Sequence, residues 1–206
     1  MSKNNAILIN ENSKPGILRL VLNKPQSKNA LSREMIFAMM DAISNASSNN
    51  KVKVIIIAAK GDVFSAGHDL KEITEARSHK NDHNSYFMDL FESCSSLMKS
   101  IVECPKPIIA EVNGVATAAG CQLVASCDLA ISSEKSRFAT PGVNIGLFCS
   151  TPMVALSRNV SKKEAMKMLL TGDMINAQEA KRISLINDYV PEKDLKKSVM
   201  DLAENI

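Results

Sequence analysis

A chain of 206 residues with 45% apolar and 23% charged side chains is long enough for one packed domain and too ordinary in composition for a disordered one. Its 25 basic and 22 acidic residues are interspersed, and with 4% aromatics and no Trp it lacks the basic face and stacking surfaces of a nucleic-acid binder. No apolar run reaches the length of a membrane span.

Met1 to Ser13 is polar and reads as neither a signal nor a transit peptide, so the expected location is cytoplasmic, with the mitochondrial matrix as the alternative if a transit peptide is missing. Ile17 to Leu22 fits a strand, broken at Lys24-Pro25. From Ser32, placed as N-cap, apolar residues at Met35, Ile36, Met39, Met40 and Ile43 follow the period of an amphipathic helix, which the polar Ser47 to Asn50 ends. Val52 to Ala58 is a β-branched run of the kind covered on both faces, and a turn at Lys60-Gly61-Asp62 leads to Val63-Phe64-Ser65. Residues 74 to 85 are the most polar stretch and read as a mobile loop. Asn84 or Ser85 caps a long helix that carries Phe87, Leu90, Phe91, Cys94, Leu97, Met98, Ile101 and Val102 and stops at Pro105. Ile108 to Val112 is a second buried strand, Thr117 to Cys127 a small-residue helix with something packed close to its backbone, and Leu129 to Ile131 a third strand. Three helices follow, with a capping box at Ser161 and Glu164, a stop at Gly172 and a cap at Asn176. A last helix begins near Pro191 with Leu195, Val199, Leu202 and Ile206 inward and the chain stopping inside it. Alternating strands and helices give an α/β class with a largely parallel sheet, either doubly wound or superhelical, in one domain over 1–206 with its core at about 17–190.

Five cysteines without a C-x-x-C pair read as reduced structural thiols, and His68, His79 and His83 lack metal-ligand partners at useful spacing. Neither G-x-G-x-x-G nor a P-loop occurs, which weighs against a dinucleotide enzyme or NTPase. Two S-x-x-K matches, at Ser96 and Ser132, leave a Ser–Lys hydrolase as a weak candidate. Two segments stand out physically. Phe64 to Lys71 and Asn113 to Cys121 each run from a strand through small residues into a helix start, leaving N–H groups that favour negative charge. Two such amides on one carbonyl oxygen make an oxyanion hole, while the same small residues equally suit tight helix–sheet packing.

In register with these, Leu22-Asn23-Lys24-Pro25, Asn29-Ala30-Leu31, Phe64-Ser65-Ala66-Gly67-His68-Asp69-Leu70-Lys71, Pro107 to Ala116, Ala119-Gly120-Cys121-Gln122-Leu123, Cys127-Asp128-Leu129-Ala130 and Thr171-Gly172 resemble the crotonase (enoyl-CoA hydratase/isomerase) superfamily. The resemblance implies a spiral of β-β-α units and lyase or isomerase chemistry on acyl-CoA thioesters, with coenzyme A as part of the substrate and no separate cofactor or metal. It implies main-chain oxyanion donors at His68 and Ala119, whatever the His68 ring does, and adds a β-carbon at Ala119 where the family usually has Gly. It also implies coenzyme A contacts at Lys28, Ala30, Ala66, Asp69, Leu70 and Lys71; for Lys28 and Lys71 a solvated surface lysine is the competing account. Trimers or hexamers are the family habit. The chain departs from the pattern where hydratases hold two glutamates: here stand Gln122, which cannot shuttle a proton near neutral pH, and Gly142, which offers no group. Family isomerases use an acid at the Gly142 position or eight residues on, where Ser150 stands. The final helices of the family are shortened here. A silent acyl-CoA-binding or regulatory protein is therefore the alternative to an enzyme.

Overall fold

A computed structural model describes residues 6–78 and 83–206. The chain opens with a hairpin, β1 (Leu8–Lys14) and β2 (Gly16–Leu22), followed by α1 (Arg33–Ser48), β3 (Val52–Ala59), β4 (Val63–Ser65), α2 (Leu70–Ser78) and α3 (His83–Val102). Next come β5 (Ile108–Val112), β6 (Val115–Thr117), α4 (Ala119–Ser126), β7 (Leu129–Ser133), β8 (Arg137–Ala139), α5 (Ser150–Asn159) and α6 (Lys162–Thr171). The described chain closes with β9 (Ile175–Asn176), α7 (Ala177–Arg182), β10 (Asp188–Val190) and α8 (Leu195–Glu204).

Two sheets emerge from this order. One runs β1-β2-β3-β5-β7-β10, parallel except for β1; the other runs β4-β6-β8-β9, with β9 antiparallel. Each of the pairs β3–β4, β5–β6 and β7–β8 therefore puts its first strand in the large sheet and its second in the small one before a helix intervenes. That is a superhelical β-β-α spiral, the second of the two architectures left open by periodicity. One face of the large sheet packs on α1, α3 and α4 through Leu20, Leu22, Ile55, Ile57, Met35, Leu97 and Leu123, all essentially without exposure. The pleat turns Ile17, Val54, Ile56, Ile109 and Ile131 to the other face, where Leu195, Val199, Met200 and Ala203 of α8 cover them.

Several expectations hold at residue level. Ser32 accepts from the Met35 amide and starts α1, Asn176 accepts from the Glu179 amide and starts α7, and Gly172 closes α6 in the left-handed conformation at φ 66°. The cysteines are free, and all but Cys104 are buried.

Others need correction. Leu8–Lys14, taken as part of a polar amino end, is an edge strand whose side chains alternate in burial. Within the polar stretch 74 to 85, residues up to Ser78 finish α2, and α3 starts at His83, ahead of the expected caps; residues 1–5 and 79–82, including His79, lie outside the described residues. Ser161 caps no amide with its side chain, so the capping box does not form. Ile206 is exposed and α8 ends at Glu204, two residues before it.

The α8-covered face also holds a buried ion pair. Arg19, 7% exposed, reaches across β3 and donates from Nε (2.9 Å) and Nη2 (2.5 Å) to the two oxygens of Glu111, 5% exposed; its Nη1 donates to Glu11 at 2.7 Å. Removing one partner of such a pair strands the other charge away from water. Glu111→Ala is therefore expected to lower stability by about 3–5 kcal/mol, read from urea unfolding; a loss below about 1 kcal/mol would mean that Glu11 alone satisfies Arg19.

Candidate functional site

The site is assembled around Gly67. The segment Ser65–His68 leaves the end of β4 bonded on both flanks: the Ala66 amide donates to the Lys28 carbonyl (3.1 Å), the Leu31 amide to the Gly67 carbonyl (2.7 Å), and Thr117 Oγ1 to the Ala66 carbonyl (3.2 Å). Asn29, fully buried, holds the flank from Lys28 to Leu31 in place. Its side chain accepts from the Lys24 amide and donates to the carbonyls of Lys60 and Val63. Asn29 belonged to the quoted sequence pattern, but its role as a tie between two turns was not legible there.

Gly67 has φ +89°, and a β-carbon on it would sit 2.9 Å from the Ala118 methyl and 3.1 Å from the Ala119 nitrogen. At the second residue of α4, a β-carbon on Gly120 would collide with the Ser65 carbonyl group and lie 2.8 Å from its carbon. Both glycines are thus demanded by contact between the end of β4 and the start of α4. Ala118, just before α4, has φ 51° and ψ −121°, a conformation that is strained for a residue with a β-carbon. Its amide is held by the Ala139 carbonyl at 3.0 Å. This strained corner brings the Ala119 amide beside the Gly67–His68 peptide. Among the described residues neither the His68 nor the Ala119 amide donates a hydrogen bond.

The other expected positions fall around this centre unevenly. Ala30 is buried, Ala66 half-buried, and Lys28, Leu70 and Lys71 are exposed, Leu70 by 65%. Lys28 itself takes a left-handed conformation at φ 53°. Asp69 Oδ1 accepts from the Lys71 amide at 2.9 Å and caps α2, so its carboxylate is engaged at a helix start. Glu72 accepts from the Arg33 amide at 3.1 Å and is likewise occupied. Gln122 lies one turn beyond Ala119 on α4, 5% exposed, with its side-chain Oε1 buried and unpartnered. It borders a hollow of about 660 Å³ between α3, α4 and α5 that the sequence did not disclose. Gly142 is buried and packed so that a β-carbon would strike the Leu147 carbonyl and approach Cys149 Sγ to 2.7 Å. Ser150 is exposed at the start of α5. No cluster of His, Cys, Asp and Glu able to hold a metal ion occurs among the described residues.

Residues 12–206 match the family described as Enoyl-CoA hydratase/isomerase. The chain belongs to the enoyl-CoA hydratase/isomerase family. It is 52% identical over 191 residues to mouse (Mus musculus) enoyl-CoA hydratase domain-containing protein 3, mitochondrial, covering 93% of this chain and 62% of that one. The chain thus spans about three fifths of the length of such relatives. The crystal structure of the human protein of that name superposes with a TM-score of 0.90 at 47% identity, covering 97% of this chain and 77% of that one. A Mycobacterium smegmatis enoyl-CoA hydratase gives a TM-score of 0.91 at 42% identity, with 98% and 77% covered. The fold is that of the crotonase superfamily.

In this enoyl-CoA hydratase/isomerase family member the His68 ring meets the Phe91 ring edge to face, 5.5 Å between centroids, and its Nδ1 is buried without a partner. Burial holds its pKa below the ordinary 6.5, opposed by a contact to the Leu31 backbone. A histidine depressed on folding binds a proton more readily when unfolded. Its neutral form therefore supports the fold fully above about pH 6.5, and that support is lost as pH falls toward the folded value. His68→Leu is expected to flatten the loss of stability between pH 7 and pH 5. Urea midpoints of both proteins at the two pH values check this, and a wild-type-to-variant difference independent of pH would contradict it.

Proposed function

We propose that the chain binds a coenzyme A thioester and holds its carbonyl oxygen between the main-chain amides of His68 and Ala119. The observation that carries this is the pair of unengaged amides brought together by the contact of Gly67 with the start of α4. Both lie at helix starts, where the positive end of the dipole favours charge developing on an oxygen. The exposed Lys28 is free to approach the pantetheine or phosphates, with Ala66, Asp69, Leu70 and the exposed Lys71 beside the adenine end and Ala30 among the coenzyme A contacts. Coenzyme A enters as part of the substrate and not as a resident cofactor.

Polarising a thioester is half of a hydratase. Adding water also needs groups that take and return a proton, and Gln122 and Gly142 stand where the resemblance puts those carboxylates. Among nearby acids, Asp69 and Glu72 are engaged at the starts of α2 and α1. A second reading, a binding protein with little or no turnover, is favoured by one observation: the β-carbon clash at Gly142 leaves no space for a carboxylate there without rebuilding the Leu147 turn. That the mouse and human relatives are mitochondrial proteins supports mitochondria over the cytoplasm. Exposed Ile145, Leu147 and Phe148 support contact between copies of the chain.

Titration is expected to give at least tenfold tighter binding for acetoacetyl-CoA than for free CoA, about 1.4 kcal/mol, with His68→Ala within a few-fold of wild type because the donor is main chain. Equal affinity for the two ligands would remove the oxyanion contact. Hydration of crotonyl-CoA, followed by loss of the enoyl absorbance, is expected to be very slow, about 10²–10⁴ below a carboxylate-assisted rate for each missing group. Gln122→Glu alone should raise it; rapid hydration by the unmodified protein would point to Asp69 or Glu72 instead.

A further inference from the structure

We infer, resting on the acyl-CoA binding proposed above, that Gln122 is a specificity residue that selects acyl chains bearing an oxygen function, a hydroxyl or keto group, near the thioester. Gln122 follows Ala119 by three residues and so lies on the same face of α4, about 5 Å further along the axis. An acyl chain that runs from a thioester at the Ala119 amide along this face passes Gln122, which forms part of the wall of the hollow of about 660 Å³. That volume takes a short acyl chain with ease. Its walls include apolar Met98, Val102, Val154 and Ala155, which accept the hydrocarbon part.

Three of the polar groups that line the same hollow are paired within the protein. Ser126 Oγ donates to the Gln122 carbonyl at 2.8 Å, Asn159 Nδ2 donates to the Ala125 carbonyl at 2.7 Å, and Asp128 accepts from the Ile108 amide at 2.8 Å. The Gln122 main-chain amide is also paired, with the Ala118 carbonyl at 3.0 Å. Its side chain differs from the other lining groups: it is 95% buried, on the wall of the hollow, and carries a buried polar atom that no protein group reaches. Exchanging the oxygen and nitrogen of the amide leaves the same deficit, since either atom in that position lacks a partner. A buried unpaired polar atom is costly, and the cost falls when a ligand supplies the partner. A glutamine head carries both an acceptor and two donors and no charge. It therefore accepts from a hydroxyl or donates to a ketone, while a plain alkyl chain leaves it unpaired.

Calorimetric titration with free CoA, butyryl-CoA and 3-hydroxybutyryl-CoA tests this, using wild type and Gln122→Met, which keeps the length of the side chain and removes its hydrogen-bonding head. Wild type is expected to bind 3-hydroxybutyryl-CoA about fivefold or more tightly than butyryl-CoA, the value of one well-placed hydrogen bond. In Gln122→Met the ratio should fall to about one, with the melting temperature unchanged or higher because the unpaired atom is gone. Equal wild-type affinities for the two acyl-CoAs, both above that for free CoA, would overturn this inference alone. Acyl-CoAs that bind no better than free CoA would overturn the thioester reading with it. An unchanged ratio in the variant, or a lower melting temperature with uniform loss of all three affinities, would make Gln122 a packing residue and sink the idea.

Discussion

The contact between the end of β4 and the first turn of α4 is so close that two glycines, Gly67 and Gly120, are the only residues it admits. Everything proposed for the site depends on that spacing. It aligns two main-chain amides from segments about fifty residues apart, it bends Ala118 into a strained conformation, and it sets the direction in which α4 carries Gln122 toward the hollow. Hydrogen bonds on the outer flank, through Lys28, Leu31, Asn29 and Thr117, keep the strand end from relaxing away. The strain at Ala118 persists because the surrounding packing over-determines it.

Against this fixed part stands a variable one. The amides belong to the main chain and survive changes of side chain, so the donor role proposed for His68 and Ala119 does not need either to be the smallest residue available. The side-chain positions that the resemblance assigns to proton movement have no such protection. Gln122 retains polarity and burial but loses acidity, and Gly142 is fitted to the Leu147 turn and Cys149. The two departures therefore differ in kind. A glutamate at Gln122 asks for one protonation change in an existing space, whereas a glutamate at Gly142 asks the backbone beside it to move.

The inner strands of the large sheet were readable, β3 and β5 above all, because they are buried on both faces and so appear as nearly unbroken apolar runs; its edge strands β1 and β10 were not. The small sheet was not: β6 and β8 have three residues each, too few for any period, although they complete the spiral. β1 escaped because an edge strand with one wet face can be nearly all polar, and the second half of α2, whose start at Leu70 was read, because no residue of it is buried and its polar side chains look like a loop. At the site, the glycine-rich helix starts and the matched motifs carried the donors at His68 and Ala119 as expectations. The hollow had no sequence signal, since its walls come from three helices separated by strands and turns. Whether Gly142 has room for a larger residue is likewise a three-dimensional fact, decided by a carbonyl five residues away.

The cover that α8 gives to the far face of the large sheet has a consequence for synthesis on the ribosome. Ile17, Val54, Ile56, Ile109 and Ile131 are all made before Leu195 and Val199, and the Arg19–Glu111 pair closes a separation of 92 residues on the same face. While the later residues are still being added, a β-branched surface with a charged centre stands open to its neighbours. Vectorial folding thus leaves this side of the nascent chain as its window of vulnerability to aggregation, and the stretch of time before α8 docks is when a chaperone has most to protect.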